Sequence, residues 1–429
     1  MRPLNYSLQR ITIAFFVALL ISSFYKMPDP QEVSSKKSLK ISATTQPKLS
    51  PQARRMYLHR QEQLQVAVAE YFDKAIKKGL IVGAGVSIVK GDSIVLATGY
   101  GSRNLRTNKG VDAGTVFRLG SLSKGFAGVL AGKFKSEGLL DWNDKINEYV
   151  PELQFKQAHH TPKITLSHIL SHTSGAPYHS YTDLIEHGVD LRTIASSFTA
   201  VQPVSAPGEL YSYQNALFSM VGEATQQVTG NPIANDLKEN FFTPLNMSTV
   251  STDHEGLLAT ENKAIPHRKY RRGWRSIQLN DHYYNAVAAG GINASAADMA
   301  QWMRFLLGHN QEVMGAEALA EVFQPQVEIP GRSKYYQRWK GHQASYYAYG
   351  WRVHEFVDEQ EKAQTMIHHG GSVNNFRNEI ALFPEDDLGI CVLMNSMTPL
   401  ASRVIPDLQE IIASIYKENL TEEAVIAAN

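Results

Sequence analysis

Hydrophobic positions recur with a helical period at both ends and through the middle of the chain, and with a strand period in two blocks between. From Arg54 to Lys78, Leu64, Val66, Val68, Tyr71, Phe72 and Ile76 supply one apolar side, and Gly79 is placed to cap the helix. Two β-rich runs follow, Gly83–Val89 and Ser93–Thr98, with Lys90-Gly-Asp92 as a hairpin turn between them. A long stretch, about 117–324, reads as helical patterns broken by Gly, Pro and Ser loops. Strand character returns at Tyr346–Phe356, Gln364–His368, Arg377–Phe383 and Gly389–Asn395, and a helix closes the pattern at Leu400–Tyr416. The fold class expected is α/β of the α+β kind. One antiparallel sheet draws on both chain ends, terminal helices flank it, and a mainly helical lobe is inserted. A cleft between sheet and lobe is the expected ligand site.

Outside that pattern, Arg2 and Arg10 precede an apolar stretch, Ile13–Ile21, with no acidic residue before Asp29. This is the layout of a targeting segment over residues 1–25, shorter than a full membrane span. A cleaved signal peptide and a retained signal anchor stay open as readings, with an organelle transit peptide a third. Residues 26–62 are rich in Ser, Lys, Pro and Gln and read as a flexible linker. The folded domain is then expected at 63–416 and a tail at 417–429. An exported location follows, periplasmic or anchored to a membrane on its outer side.

Composition adds little. The 42 Lys and Arg against 41 Asp and Glu give no global reason to expect nucleic acid as a partner. One dense basic run, His267 to Arg275, reads as a solvated loop, with contact to an anionic substrate or surface as its functional alternative. The single cysteine, Cys391, lies in an apolar run and reads as core.

Candidate chemistry begins at Ser121 and Lys124, three residues apart at the expected start of a helix, where their side chains share a face. A serine hydroxyl needs a base to become a nucleophile. Lysine serves only if its pKa is driven down. The same spacing at Ser34–Lys37, in the linker, lacks this setting. Tyr213 and Asn215 stand two apart in a Pro/Gly loop leading to a helix. The phenol beside an ammonium is a candidate base, and the amide is placed to orient Lys124 or a substrate carbonyl. His369, Gly370, Gly371 and Ser372 end a strand-like run, where glycines allow close approach. The N–H groups of Ser121 and Ser372 are then placed to form an oxyanion hole. His368 and His369 point to opposite faces of a strand, so no metal and no cofactor is expected.

Ser-x-x-Lys, Tyr-x-Asn and His-x-Gly, in that order, resemble the penicillin-recognising serine hydrolases. The resemblance is strongest to the group of class C β-lactamases, D-alanyl-D-alanine carboxypeptidases and esterases. Phe117–Lys124, Ile164–Gly175, Pro207-Gly-Glu209, Pro244–Met247, Gly290-Gly291 and Leu382-Phe-Pro384 support it, over roughly residues 63 to 415. It implies an acyl-enzyme on Ser121, with Lys124 and Tyr213 moving protons and Asn215, His369, Gly371 and Ser372 holding substrate. His369 stands where class C β-lactamases carry lysine, which turns the expectation from β-lactams toward a peptidase or esterase acting on a small-molecule or short-peptide substrate. Two departures, Asn374-Asn375-Phe376 and Asn246, read as structural, as does His172. A true class C-like β-lactamase and a non-catalytic binding relative are the alternatives.

Overall fold

The computed structural model describes residues 51–427, apart from 108, 359 and 360. Nine strands form one antiparallel sheet: β1 (Gly83–Lys90), β2 (Ser93–Asn104), β3 (Lys109–Gly110), β4 (Val327–Glu328), β5 (His342–Tyr347), β6 (Arg352–Val357), β7 (Ala363–Val373), β8 (Phe376–Phe383) and β9 (Leu388–Met394), in the order β3-β2-β1-β9-β8-β7-β6-β5-β4. The junction of the two chain ends is the β1–β9 pair, with Val86 opposite Val392 and Ile88 opposite Ile390. Both strands are buried almost throughout, because each face of the sheet is covered.

Strand alternation sorts the side chains between those covers. Ala84, Val86 and Ile88, with Ile390, Val392 and Met394, pack on the terminal helices α1 (Pro51–Lys77) and α4 (Val404–Ala427), meeting Leu64, Val68, Phe72, Leu408 and Ile412. Each such large side chain contributes about 1.5–3 kcal/mol on burial. The Tyr71 hydroxyl donates to Asp407 at 2.6 Å and ties the two helices together. The other face carries the helical lobe. There Gly85 and Gly389 let Phe117 and Met303 approach. Cys391 is buried in this central region, and burial pushes its thiol up.

The lobe's central element is α2 (Ser123–Ser136), of which nearly every residue is buried. Its glycines are contact points. A Cβ on Gly125 would meet the Trp351 ring at 2.4 Å, and one on Gly128 the Tyr349 carbonyl at 2.1 Å. Both partners belong to the turn 348–351.

That turn corrects one expectation. Tyr346–Phe356 is two strands, β5 and β6, paired as a hairpin with Tyr347 opposite Arg352. The turn Ala348-Tyr-Gly-Trp carries no polar signal, because it packs on α2 instead of facing water. Two boundaries also move. The linker expected over 26–62 ends earlier, since α1 starts at Pro51; Tyr57 packs on the core and Gln61 donates to the Val95 carbonyl at 3.3 Å. The tail expected at 417–429 continues α4 to Ala427, through residues with good helix propensity such as Leu420 and Ala424. The basic run is a β-hairpin, not a loop, pairing His267–Tyr270 with Gly273–Ser276. The stretch Ile13–Ile21 lies outside the described residues, among which no helix is long and apolar enough to cross a membrane.

Gly128→Ala tests the packing. In a free helix this change gains about 1 kcal/mol. Here overpacking against Tyr349 is expected to cost about 1–3 kcal/mol in urea unfolding, and a gain in stability would refute the contact.

Candidate active site

Ser121 sits in a 3-10 turn, Gly120–Leu122, that feeds directly into α2. Gly120 adopts a positive φ of 56°, and a Cβ there would stand 2.9 Å from the N, C and O atoms of Ser372. A Cβ on Gly371 would stand 2.1 Å from the Leu119 carbonyl. The Ser121 turn and β7 therefore meet backbone to backbone. β7 pairs with β6 only as far as His368, which leaves the edge from His369 to Val373 free beside the turn. The hairpin from β7 to β8 closes through Asn374-Asn375, both at positive φ, with Val373 opposite Phe376. Such two-residue turns are flanked by a hydrogen-bonded pair. The alternation of an antiparallel ladder then turns the Ser372 N–H away from β8, toward the free edge. Asparagine tolerates the left-handed backbone, so the departure at this turn is structural, as expected.

Lys124 is the second residue of α2 and is fully buried. Its Nζ donates to Asn215 Oδ1 at 2.7 Å and to the Ala289 carbonyl at 2.8 Å. Both partners are neutral. Burial, reinforced by the positive charge of Arg352, holds the amine well below the usual lysine range. Asn215, the first residue of α3 (Asn215–Ser219), donates its amide to the Tyr283 hydroxyl at 3.2 Å, which fixes the oxygen toward Lys124.

Tyr213 reaches Ser121 directly, its hydroxyl donating to Ser121 Oγ at 3.0 Å. Its ring centroid is 4.8 Å from Lys124 Nζ. Burial pushes the phenol up to about 12, against the opposing influence of Arg352 and of the bond to Ser121. This corrects the expectation of a phenol ready to act as base. At neutral pH the resting tyrosine is a proton donor, and burial disfavours the charged form of the Lys124 amine beside it.

His369 faces the same space, as expected of the face opposite His368. Its Nε2 and the Tyr347 hydroxyl are 3.0 Å apart, and burial holds the imidazole well below its usual range. Position 369 is therefore neutral. His368 points away and joins a buried chain: its Nε2 lies 2.8 Å from Glu379 and its Nδ1 3.3 Å from His354. Among the described residues no cluster of His, Cys, Asp and Glu could hold a metal ion.

Three contributors escaped the sequence reading. Arg352 lies over the rings of Tyr336 and Tyr347 at 5.3 and 5.9 Å and lowers the proton affinity of Lys124 and His369. Its one signal was a charged residue inside a strand pattern. Ala289 acts through a carbonyl, which leaves no trace in residue type. His172, expected to be structural, is buried with its ring 4.2 Å from that of Tyr213 and accepts from the Gln214 N–H through Nδ1 at 3.2 Å. It supports the loop that carries Tyr213.

A model of the family described as Beta-lactamase matches residues 68–413. The chain belongs to the β-lactamase family. Among relatives, an unguisins hydrolase, ungD', of Aspergillus campestris is 25% identical over 78% of this chain and 62% of its own length. Protein flp of Staphylococcus aureus is 24% identical over 81% of this chain and 65% of its own. The chain thus spans less than two thirds of the length of these curated relatives. In fold it is similar to the octameric penicillin-binding protein homologue from Pyrococcus abyssi, with a TM-score of 0.67 and 22% identity over 80% of this chain and 77% of the other. The β-lactamase fold accounts for the mixed architecture and its antiparallel sheet.

The buried histidines predict acid lability. His172, His354, His368 and His369 all have depressed folded-state pKa values, with burial as the largest cause. Below about pH 6.5, the ordinary histidine value, the unfolded chain binds more protons than the folded one, so stability falls as pH falls. The urea midpoint is expected to drop between pH 7.5 and 5; an unchanged midpoint would contradict neutral burial of these rings.

Proposed function

We propose that this member of the β-lactamase family is a serine hydrolase that cleaves an amide or ester through an acyl-enzyme on Ser121. The observation that carries the reading is the Tyr213 hydroxyl 3.0 Å from Ser121 Oγ, with the depressed amine of Lys124 beside the same phenol ring. Ser121 Oγ attacks the substrate carbonyl while its proton passes to Lys124, by way of the Tyr213 hydroxyl. The tetrahedral oxyanion is held by the N–H groups of Ser121 and Ser372. As the C–N or C–O bond breaks, the proton returns to the leaving group. Water then attacks the ester and gives its proton back along the same pair. Asn215 keeps Lys124 aimed, and His369 and Gly371 line the strand beside the substrate. The relative named as a hydrolase supports hydrolysis as the reaction.

Amides and esters are favoured over β-lactams by His369, which is held neutral where a lysine would attract the lactam carboxylate. A short peptide is the substrate class we favour. A purely binding role is disfavoured because the nucleophile, its proton carriers and the orienting amide are all present and in contact.

An activity-based serine probe is expected to label the wild type and not Ser121→Ala. Lys124→Met and Tyr213→Phe are each expected to slow labelling by roughly 10²- to 10⁴-fold, the range of one general acid–base group. Undiminished labelling of Ser121→Ala would sink the assignment. Efficient nitrocefin turnover would reverse the ranking of amides and esters above β-lactams.

A further inference from the structure

The basic hairpin, His267–Tyr270 paired with Gly273–Ser276, takes no part in the chemistry above and carries an unusual charge arrangement. Arg268, Lys269, Arg271, Arg272 and Arg275 are all exposed. No acidic residue occurs between Lys263 and Asn280, and among the described residues none of the five forms an ion pair with a carboxylate. Arg268 and Arg275 are direct cross-strand partners. Like charges so placed oppose strand pairing. Arg271 and Arg272 add two more at the tip. An anion outside the fold would relieve this repulsion.

The hairpin is firmly mounted in spite of it. Lys269 Nζ and Trp274 Nε1 both donate to the Gly79 carbonyl, at 2.8 and 3.2 Å, and the His267 N–H donates to the Asn395 carbonyl at 2.8 Å. The aromatic rings lie among the cations: Lys269 Nζ is 5.4 Å from the Trp274 ring and Arg275 5.6 Å from that of Tyr270, itself 45% exposed. Just beyond the hairpin the chain is fastened to the site. The Asn280 N–H donates to Asn374 at 3.1 Å, on the turn after Ser372, and Arg118 donates to the Asn280 carbonyl at 2.8 Å.

We propose that this hairpin docks on the surface of an anionic phospholipid bilayer and holds the rim of the cleft against it. Exposed cations interleaved with aromatic rings fit a charged headgroup layer, where basic side chains are attracted and aromatic rings are accommodated at the interface. Nucleic acid offers negative charge as well. The bilayer is favoured by the apolar stretch Ile13–Ile21, which requires no contact with the hairpin for the argument to hold.

The test is co-sedimentation of the full chain with phosphatidylcholine vesicles and with phosphatidylcholine–phosphatidylglycerol vesicles, at low and high salt. The ratio of anionic to neutral partitioning reads the hairpin, since an inserted apolar segment contributes to both. Replacing all five basic residues with glutamine (Arg268→Gln, Lys269→Gln, Arg271→Gln, Arg272→Gln, Arg275→Gln) is expected to lower that ratio about a hundredfold or more, from an attraction worth several-fold per basic residue. Labelling at Ser121 should be retained, which reports the fold. If the fivefold variant does not fold, the tip pair Arg271→Gln and Arg272→Gln is expected to lower the ratio about tenfold. An unchanged ratio in a folded variant overturns the proposal. Hairpin-dependent binding to duplex DNA tighter than to the anionic vesicles overturns it in favour of nucleic acid.

Discussion

Close contact between two backbones, the turn at Leu119–Leu122 and the strand at Gly371–Ser372, is the constraint on which the site is built. Side chains at Gly120 or Gly371 would occupy the space of the opposing main chain. Without that contact the turn at Ser121 would not lie against the free strand edge at Ser372. Everything else at the site is arranged around a fixed point where main chain meets main chain.

Around that point, burial is the main electrostatic agent. The same exclusion of water lowers the proton affinity of Lys124 and raises that of Tyr213. Both charged forms, the ammonium and the phenolate, are therefore disfavoured in the same small space. Arg352 strengthens the first effect and opposes the second. The fold thus biases protonation with burial and one cation, and among the described residues Lys124 hydrogen-bonds to neutral partners.

The parts of this arrangement legible in the sequence were those encoded by residue type and order. Ser121, Lys124, Tyr213 and Asn215 could be placed because motif order and flanking text agreed. Period-two and helical patterns located the sheet core and the terminal helices. What escaped was encoded by tertiary contact. The turn at 348–351 is apolar because α2 covers it, so hydrophobicity alone merged two strands. The tyrosine's proton affinity depends on depth of burial, which no local pattern reports. Arg352, His172 and the Ala289 carbonyl act across long sequence distances. The helix extensions at Pro51 and beyond Tyr416 fall where polar composition masks good helix formers.

The β1–β9 junction has a consequence for how the protein is made. Strands separated by some three hundred residues must pair before the sheet is complete, and long-range pairing is slow. A ribosome delivers Ser121, Lys124 and Tyr213 long before the strand that supplies Ser372. During synthesis the lobe therefore exists with the Ser121 turn unpartnered, and β1 exposes an apolar edge that awaits its partner. The site is complete only with the last quarter of the chain, so a truncated product would lack Ser372 and be prone to aggregate through the unpaired edge.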